Sequence, residues 1–318
     1  MQSTDAPTAP QGSRCPGAPL DGDAQPLPRE VLLLLNRSSR SGSRLGAGVL
    51  DVLLHAGLQV AVRECDSEEE LRASILAGGD RRIVLGGGDG TVNCALPALV
   101  QAGRPFGLLP LGTANDLAHS LAIPVDPAAA MAVVAAGHVR HIDVALANDR
   151  YFVNAAHIGL ATRVTRALSG DSKRRWRSLA YLRAALRIVH RRRTFRAMLR
   201  CDDATYHLHS IQITIGNGCR FGGGVIISED AALDDGLLDF YNIPPKGVLG
   251  LAALAPYLRL GRHGRSDDIH SGKGRVIEIR TRRRMQVTTD GEITTTTPLR
   301  CEVCPRRLAV FAPPAGAS

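Results

Sequence analysis

Ile83-Val84-Leu85-Gly86-Gly87-Gly88-Asp89-Gly90-Thr91-Val92-Asn93 runs from three aliphatic residues through a glycine run into the start of a helical stretch. A strand, glycines and a helix start bring bare backbone N–H groups and the positive end of a helix dipole to one point, which is how a chain cradles a phosphate. The same residues would also make a tight strand-to-helix turn with no ligand. Two common phosphate fingerprints are excluded. A G-x-G-x-x-G motif aligned on Gly86 and Gly88 puts Thr91 at its third glycine, and Gly-Lys followed by Ser or Thr occurs nowhere in the chain.

Outward from this stretch, short apolar runs at 31–35, 58–62, 83–85 and 106–109 read as buried strands alternating with helices or glycine-rich turns. Ser67-Glu68-Glu69-Glu70 is a capping box, and Asp126-Pro127 sets a cap and a first-turn proline. Strand and helix in alternation predict a parallel sheet with helices on both faces. A second strand-end loop, Pro110-Leu111-Gly112-Thr113-Ala114-Asn115-Asp116, falls at the carboxyl edge of that sheet, where open α/β sheets bind ligands. Beyond 141 the pattern changes to period-two runs at 209–215 and 276–279, which predict an antiparallel β domain with helices at 176–189 and near 246–258. The expected division is a disordered leader at 1–28, an α/β domain at 29–141, a β-sandwich domain at 142–300, and a closing strand and tail at 301–318.

The chain has 318 residues, 44% apolar and 22% charged, and no apolar run long enough to span a bilayer. The proline-rich start has neither a secretory nor a transit pattern. Seven cysteines, an odd number, are expected as reduced thiols of a cytoplasmic protein. Cys301-Glu302-Val303-Cys304 has the spacing of half a zinc site but no second ligand pair, so buried strand cysteines are expected there.

The net charge of +9 is localised. Eleven of the 39 basic residues lie between Lys173 and Arg200, where no acidic residue occurs; the other 28 face 30 acidic residues. Trp176, Leu179, Leu182, Leu186 and Val189 recur at helical spacing in this segment. An amphipathic helix with a solvated arginine face would account for that. The alternative is that Lys173, Arg174, Arg175 and Arg177, with Arg191, Arg192 and Arg193, rest on an anionic membrane surface, making the protein peripherally membrane-associated. Nucleic acid is not expected, since the aromatics have no base-stacking periodicity.

Gly87-Gly88-Asp89-Gly90-Thr91-Val92-Asn93 together with Pro110-Leu111-Gly112-Thr113-Ala114-Asn115-Asp116 resembles the catalytic domain of the diacylglycerol kinase and sphingosine kinase family, in its bacterial form. The resemblance continues through Gly216-Asn217, Phe221-Gly222-Gly223-Gly224, Asp230-Ala231-Ala232-Leu233-Asp234-Asp235-Gly236-Leu237-Leu238-Asp239 and Asp290-Gly291-Glu292. It departs at Asn36-Arg37-Ser38, which lacks the family's proline, at 63–68, and at Cys94, where glutamate is usual.

The resemblance implies an N-terminal α/β domain like that of phosphofructokinase and NAD kinase, a C-terminal antiparallel β-sandwich, and a last strand returning to the first domain. It implies ATP phosphates at Gly87, Gly88, Asp89, Gly90 and Thr91, with Asn36, Gly112, Thr113, Asn115 and Asp116 lining the nucleotide site. Mg²⁺ would be held by the Asp235 carboxylate and the carbonyls of Ala232 and Leu237. Glu292 would be the general base that takes the proton of a lipid hydroxyl, with diacylglycerol the first expectation. Phosphoryl transfer needs such groups because its transition-state charge lies on phosphate oxygens. Asp89 and Asp116 could equally cap helices. A soluble-substrate kinase of the NAD-kinase kind and a catalytically silent membrane-surface module remain as alternatives, and a homodimer is left open.

Overall fold

The computed structural model describes residues 15, 27–37, 47–162, 194–218, 220–221, 225–227, 231–246 and 269–314. The basic clusters Lys173 to Arg177 and Arg191 to Arg193 lie outside these residues. So do the helix expected at 176–189, all but Lys246 of the one expected near 246–258, the glycines at 222–224, and all of the leader except Cys15, Leu27 and Pro28.

The first half alternates as predicted. Its elements are β1 (Glu30–Asn36), α1 (Ala47–His55), β2 (Gln59–Cys65), α2 (Glu68–Leu76), β3 (Arg82–Gly87), α3 (Asp89–Ala102), β4 (Phe106–Pro110), α4 (Asp116–Ser120) and α5 (Pro127–Ala136). Ser67 caps α2 by accepting the Glu70 N–H at 3.1 Å. Asp126 caps α5 at Ala129, with Pro127 in the first turn. Both caps satisfy N–H groups that the helix itself leaves unpaired.

The remaining described elements are strands. They are β5 (Val139–Ala147), β6 (Arg150–Phe152), β7 (Ala155–Gly159), β8 (Phe195–Cys201), β9 (Ala204–Ser210), β10 (Gln212–Gly216), β11 (Arg220–Phe221) and β12 (Val225–Ile226). They continue as β13 (Leu238–Ile243), β14 (Ser271–Gly274), β15 (Val276–Thr281), β16 (Gln286–Thr289), β17 (Glu292–Thr296) and β18 (Leu299–Phe311).

Parallel strands β2, β1, β3 and β4 lie side by side in that order, with Leu33 opposite Val62 on one flank and Val84 on the other. The chain moves outward to β2 and then back across β1 to β3. The carboxyl ends of β1 and β3 therefore flank a topological switch point, where a crevice opens. Helix α1 packs with α5 and α2 with α3, and the aliphatic runs of β1 and β3 are buried in the core.

Strand β18 makes the two halves continuous. Val310 pairs in parallel with Phe106 of β4, whereas Val276 of β15 pairs antiparallel with Glu302. Between Cys304 and Leu308 the register against β5 shifts, and Arg306 takes a left-handed φ of 51°. The antiparallel end of this ten-stranded sheet, β15, β8 and β9, faces a second sheet ordered β14-β13-β10-β7-β16-β17. Leu199, Leu208, Ile213, Ile215, Phe240, Ile277 and Val287 fill the space between. The opposite face of the second sheet is also buried and is mixed, with His157, Gln212, Thr214 and Thr288 beside an apolar cluster that includes Tyr241 and Ile243. Burial there lowers the His157 ring to about 4, so it is neutral at physiological pH.

Two sequence expectations are corrected. The run 209–215 is not one strand: it breaks at Ile211, and the chain passes from β9 in the first sheet to β10 in the second. Nor are all cysteines reduced. Cys15 is bonded to Cys304 of β18, while Cys65, Cys94, Cys201 and Cys301 are free and buried.

Candidate active site

At the switch point the glycine run is shorter than a loop. The strand continues to Gly87 rather than ending at Leu85, and α3 starts at Asp89 rather than Val92, with Gly88 as its N-cap. Thr91 and Val92 both donate their N–H groups to the Gly88 carbonyl. Gly88, Asp89 and Gly90 thus stand at the positive end of a 14-residue helix. The second loop touches the first. A Cβ on Gly88 would lie 2.8 Å from the Gly112 Cα, and one on Gly112 would lie 2.5 Å from the Gly88 Cα. Only two glycines permit this approach, and the Leu111 N–H donates to the Gly87 carbonyl beside it at 2.9 Å.

The other side chains expected here fall into two groups. Gly90, Gly112 and Thr113 are exposed on the crevice rim. Asn36, at the end of β1, donates from Nδ2 to the Thr91 hydroxyl at 3.3 Å. Asn115 sits in the left-handed region, and its amide is bonded to its own loop: Oδ1 accepts from the Gly112 N–H at 3.0 Å and Nδ2 donates to the Gly112 carbonyl at 3.2 Å. Asp89 Oδ1 accepts the Leu117 N–H at 3.4 Å, so this carboxylate caps α4 rather than its own helix. Burial pushes the Asp89 carboxyl up, and the neighbouring charge of buried Asp116 adds to it.

Glu292 enters from the second half. Asp290 and Gly291, both at positive φ, form a two-residue hairpin turn between paired Thr289 and Glu292. The turn is pinned by Asp290, which the sequence motif contains but to which sequence reading assigned no role. The Asp290 carboxylate accepts three backbone N–H bonds, from Val153 at 2.9 Å, Asn154 at 2.9 Å and Ala155 at 3.0 Å. Burial pushes its carboxyl up to about 6, the three donors act the other way, and the charge of Asp89 raises it further. Glu292 is exposed, and its charge is felt at Cys94 of α3. The Cys94 thiol is pushed up to about 12, first by burial, then by Glu68 and by the charge of Glu292. The hairpin of the second domain therefore lies on the same side of the crevice as α3, within reach of its charges.

The turn that carries Asp235 is organised by a second aspartate, one that sequence reading passed over. Asp143 of β5 is fully buried; its Oδ2 accepts the Gly236 N–H and its Oδ1 the Arg306 N–H, each at 2.7 Å. Its own N–H donates to the Leu233 carbonyl at 2.6 Å. Asn217 links this turn to the Glu292 hairpin, donating from Nδ2 to the carbonyls of Asp143 and Val153, both at 3.0 Å. Asp235 Oδ1 accepts the Leu237 N–H at 2.9 Å, and its Oδ2 lies 3.9 Å from the Lys273 ammonium. Among the described residues no three His, Cys, Asp or Glu side chains gather as a metal cluster. A cation at Asp235 would thus rely on one carboxylate with backbone carbonyls, Ala232 and Leu237 within the same turn, and water. Such an all-oxygen set suits a hard ion such as Mg²⁺, and the ammonium already beside Asp235 marks the place as one that attracts positive charge.

An open α/β sheet with a glycine-lined crevice, joined to an antiparallel β-sandwich, is the architecture of the diacylglycerol kinase class. Residues 30–147 match the diacylglycerol kinase catalytic domain, and residues 154–312 the YegS C-terminal NAD kinase beta sandwich-like domain. The chain belongs to the YegS-like lipid kinase family. A probable lipid kinase YegS-like protein of Pseudomonas aeruginosa is 32% identical over 291 residues, covering 89% of this chain and 94% of that protein. One of the same description from Klebsiella pneumoniae is 30% identical, covering 89% and 96%. The crystal structure of a putative diacylglycerol kinase from Bacillus anthracis superposes with a TM-score of 0.75 at 24% identity, over 90% of this chain and 98% of that one. That likeness concerns the fold.

Proposed function

We propose that the protein transfers the γ-phosphoryl group of ATP, with Mg²⁺, to the hydroxyl of a diacylglycerol-like lipid. The observation that carries this reading is the glycine crevice, where Gly88 and Gly112 meet and the start of α3 offers Gly88 to Thr91 for phosphates, with the Glu292 hairpin on the same side. The lipid oxygen attacks the γ-phosphorus, the bond to the β-phosphate oxygen breaks, and ADP leaves. Glu292 takes the hydroxyl proton as the new P–O bond forms. Mg²⁺ supplies charge neutralisation on the phosphate oxygens.

Incubation with labelled ATP, Mg²⁺ and diacylglycerol in mixed micelles tests the reading. Label is expected in the lipid phase, and Glu292→Gln should lower kcat by about 10²- to 10⁴-fold with ATP binding kept. Label only in water-soluble products would favour the NAD-kinase kind of activity; none in any lipid extract would favour a silent membrane-surface module. We also propose that Lys173 to Arg177 and Arg191 to Arg193 bring the enzyme to anionic lipid. Among the described residues no helix is long and apolar enough to cross a membrane.

A further inference from the structure

Asp235 and Asp239 bracket a turn and the start of β13, and Lys273 stands directly opposite Asp239 across the antiparallel β13–β14 pair. Its ammonium lies 3.4 Å from Asp239 Oδ1 and 3.9 Å from Asp235 Oδ2. The neighbouring acid, Asp234, is paired with Arg140 at 3.5 Å. Asp143, behind the turn, faces both Asp234 and Asp235. The turn is therefore strongly acidic, and Lys273 is a cation on its Asp235 side.

The two oxygens of Asp235 are not equivalent. Oδ1 accepts the Leu237 N–H, whereas Oδ2 is turned to Lys273. The oxygen left for a metal is the one beside the lysine. A divalent cation and an ammonium repel each other and cannot share that oxygen at ligand distance. Lys273 has a second seat ready, because Asp239 pairs with it through the strand register whether or not Asp235 is engaged.

We infer that Lys273 is a displaceable counter-ion: in the metal-free protein it is shared between Asp239 and Asp235, yields the Asp235 side to the divalent cation while keeping Asp239, and so sets how tightly that cation is held. This rests on Asp235 being the metal carboxylate. On this account the affinity is deliberately moderate, the ion exchanges readily, and Asp239 acts on the metal through Lys273 rather than by touching it.

Isothermal titration of the nucleotide-free full chain with MgCl₂, and separately MnCl₂, at fixed pH and ionic strength tests it. Lys273→Met keeps the apolar stem and removes the charge; it should tighten binding about tenfold. Asp239→Asn takes away the charge that keeps the lysine and should weaken binding several-fold. In the Lys273→Met background the same Asp239→Asn change should have little further effect, since the lysine through which it acts is gone. If the two effects simply add, or if Lys273→Met fails to tighten binding, the counter-ion role is wrong even though the metal site stands. If the wild type binds neither ion, or Asp235→Asn binds as well as wild type, the metal reading of Asp235 fails and this inference falls with it. Should Lys273→Met not fold, Lys273→Gln carries the same comparison.

Discussion

Single atoms separate packing from ligand binding in the crevice. A Cβ at Gly88 would lie 2.8 Å from the Gly112 backbone, so Gly88→Ala must force the two loops apart. A cost of roughly 1–3 kcal/mol in stability, with loss of ATP affinity, is expected from such overpacking. Gly90 is the informative contrast. Nothing lies within 4 Å of a Cβ placed there, and the residue is in the first turn of α3. Gly90→Ala should therefore keep or slightly raise the melting temperature, as helix propensity favours alanine, while raising KM for ATP and leaving KM for lipid unchanged. An unchanged KM for ATP would remove Gly90 from the phosphate site. Asp290 gives a pH test. Its carboxyl titrates near 6 in the folded protein and near 3.8 when unfolded, so the folded state holds the proton more strongly between these values. Stability contributed by this group is full below about pH 4 and declines as pH rises to about 6, by on the order of 2 kcal/mol. In Asp290→Asn that slope is absent. The melting-temperature difference, wild type minus variant, should shrink as pH is raised from 4 to 6.5; a constant difference would mean the carboxyl does not titrate there.

At the scale of elements, the parts legible in the sequence were those fixed by neighbours in the chain. The strand-to-helix step at Gly86 to Asp89, the Ser67 and Asp126 caps and the aliphatic runs of β1, β3 and β4 each depend on residues a few positions apart. The break between β9 and β10 at Ile211 was not legible, because alternating residues read the same whichever sheet receives them. The anchoring roles of Asp143 and Asp290 were hidden for a different reason. Each side chain serves backbone N–H groups 93 to 163 positions away, and nothing in the local pattern records such partners. Their work is to hold whole elements. Asp143 fastens the Asp235 turn on one side and the β18 bulge at Arg306 on the other. Asp143→Ala would leave both N–H groups without their acceptor in a buried setting, and a loss of about 2–5 kcal/mol is expected from two such penalties. Chemical denaturation measures it; a loss under about 1 kcal/mol would show that water replaces the carboxylate freely.

For the whole molecule, β18 decides how the halves behave together. Sequence suggested two domains with a strand returning from the second to the first, and the geometry is tighter than that. One continuous strand, Leu299–Phe311, pairs with β15 of the sandwich and with β4 and β5. Cys304, in the same strand, carries the bond to Cys15. Buried residues of β18 contribute to both cores, Leu308, Val310 and Phe311 to the first and Leu299, Cys301 and Val303 to the second. Neither half can lose this strand without exposing its own interior. The two halves should therefore unfold together although each matches a separate family model. Calorimetry should give one transition with calorimetric and van't Hoff enthalpies in agreement. Replacing Val310 by Asp, on the first-core side only, should lower that single transition rather than split it. Two resolved transitions, with the sandwich surviving the first, would show that β18 is a tether between independent domains. In that case the approach of Glu292 to α3 would be a matter of domain closure, not of a site built into one folded body.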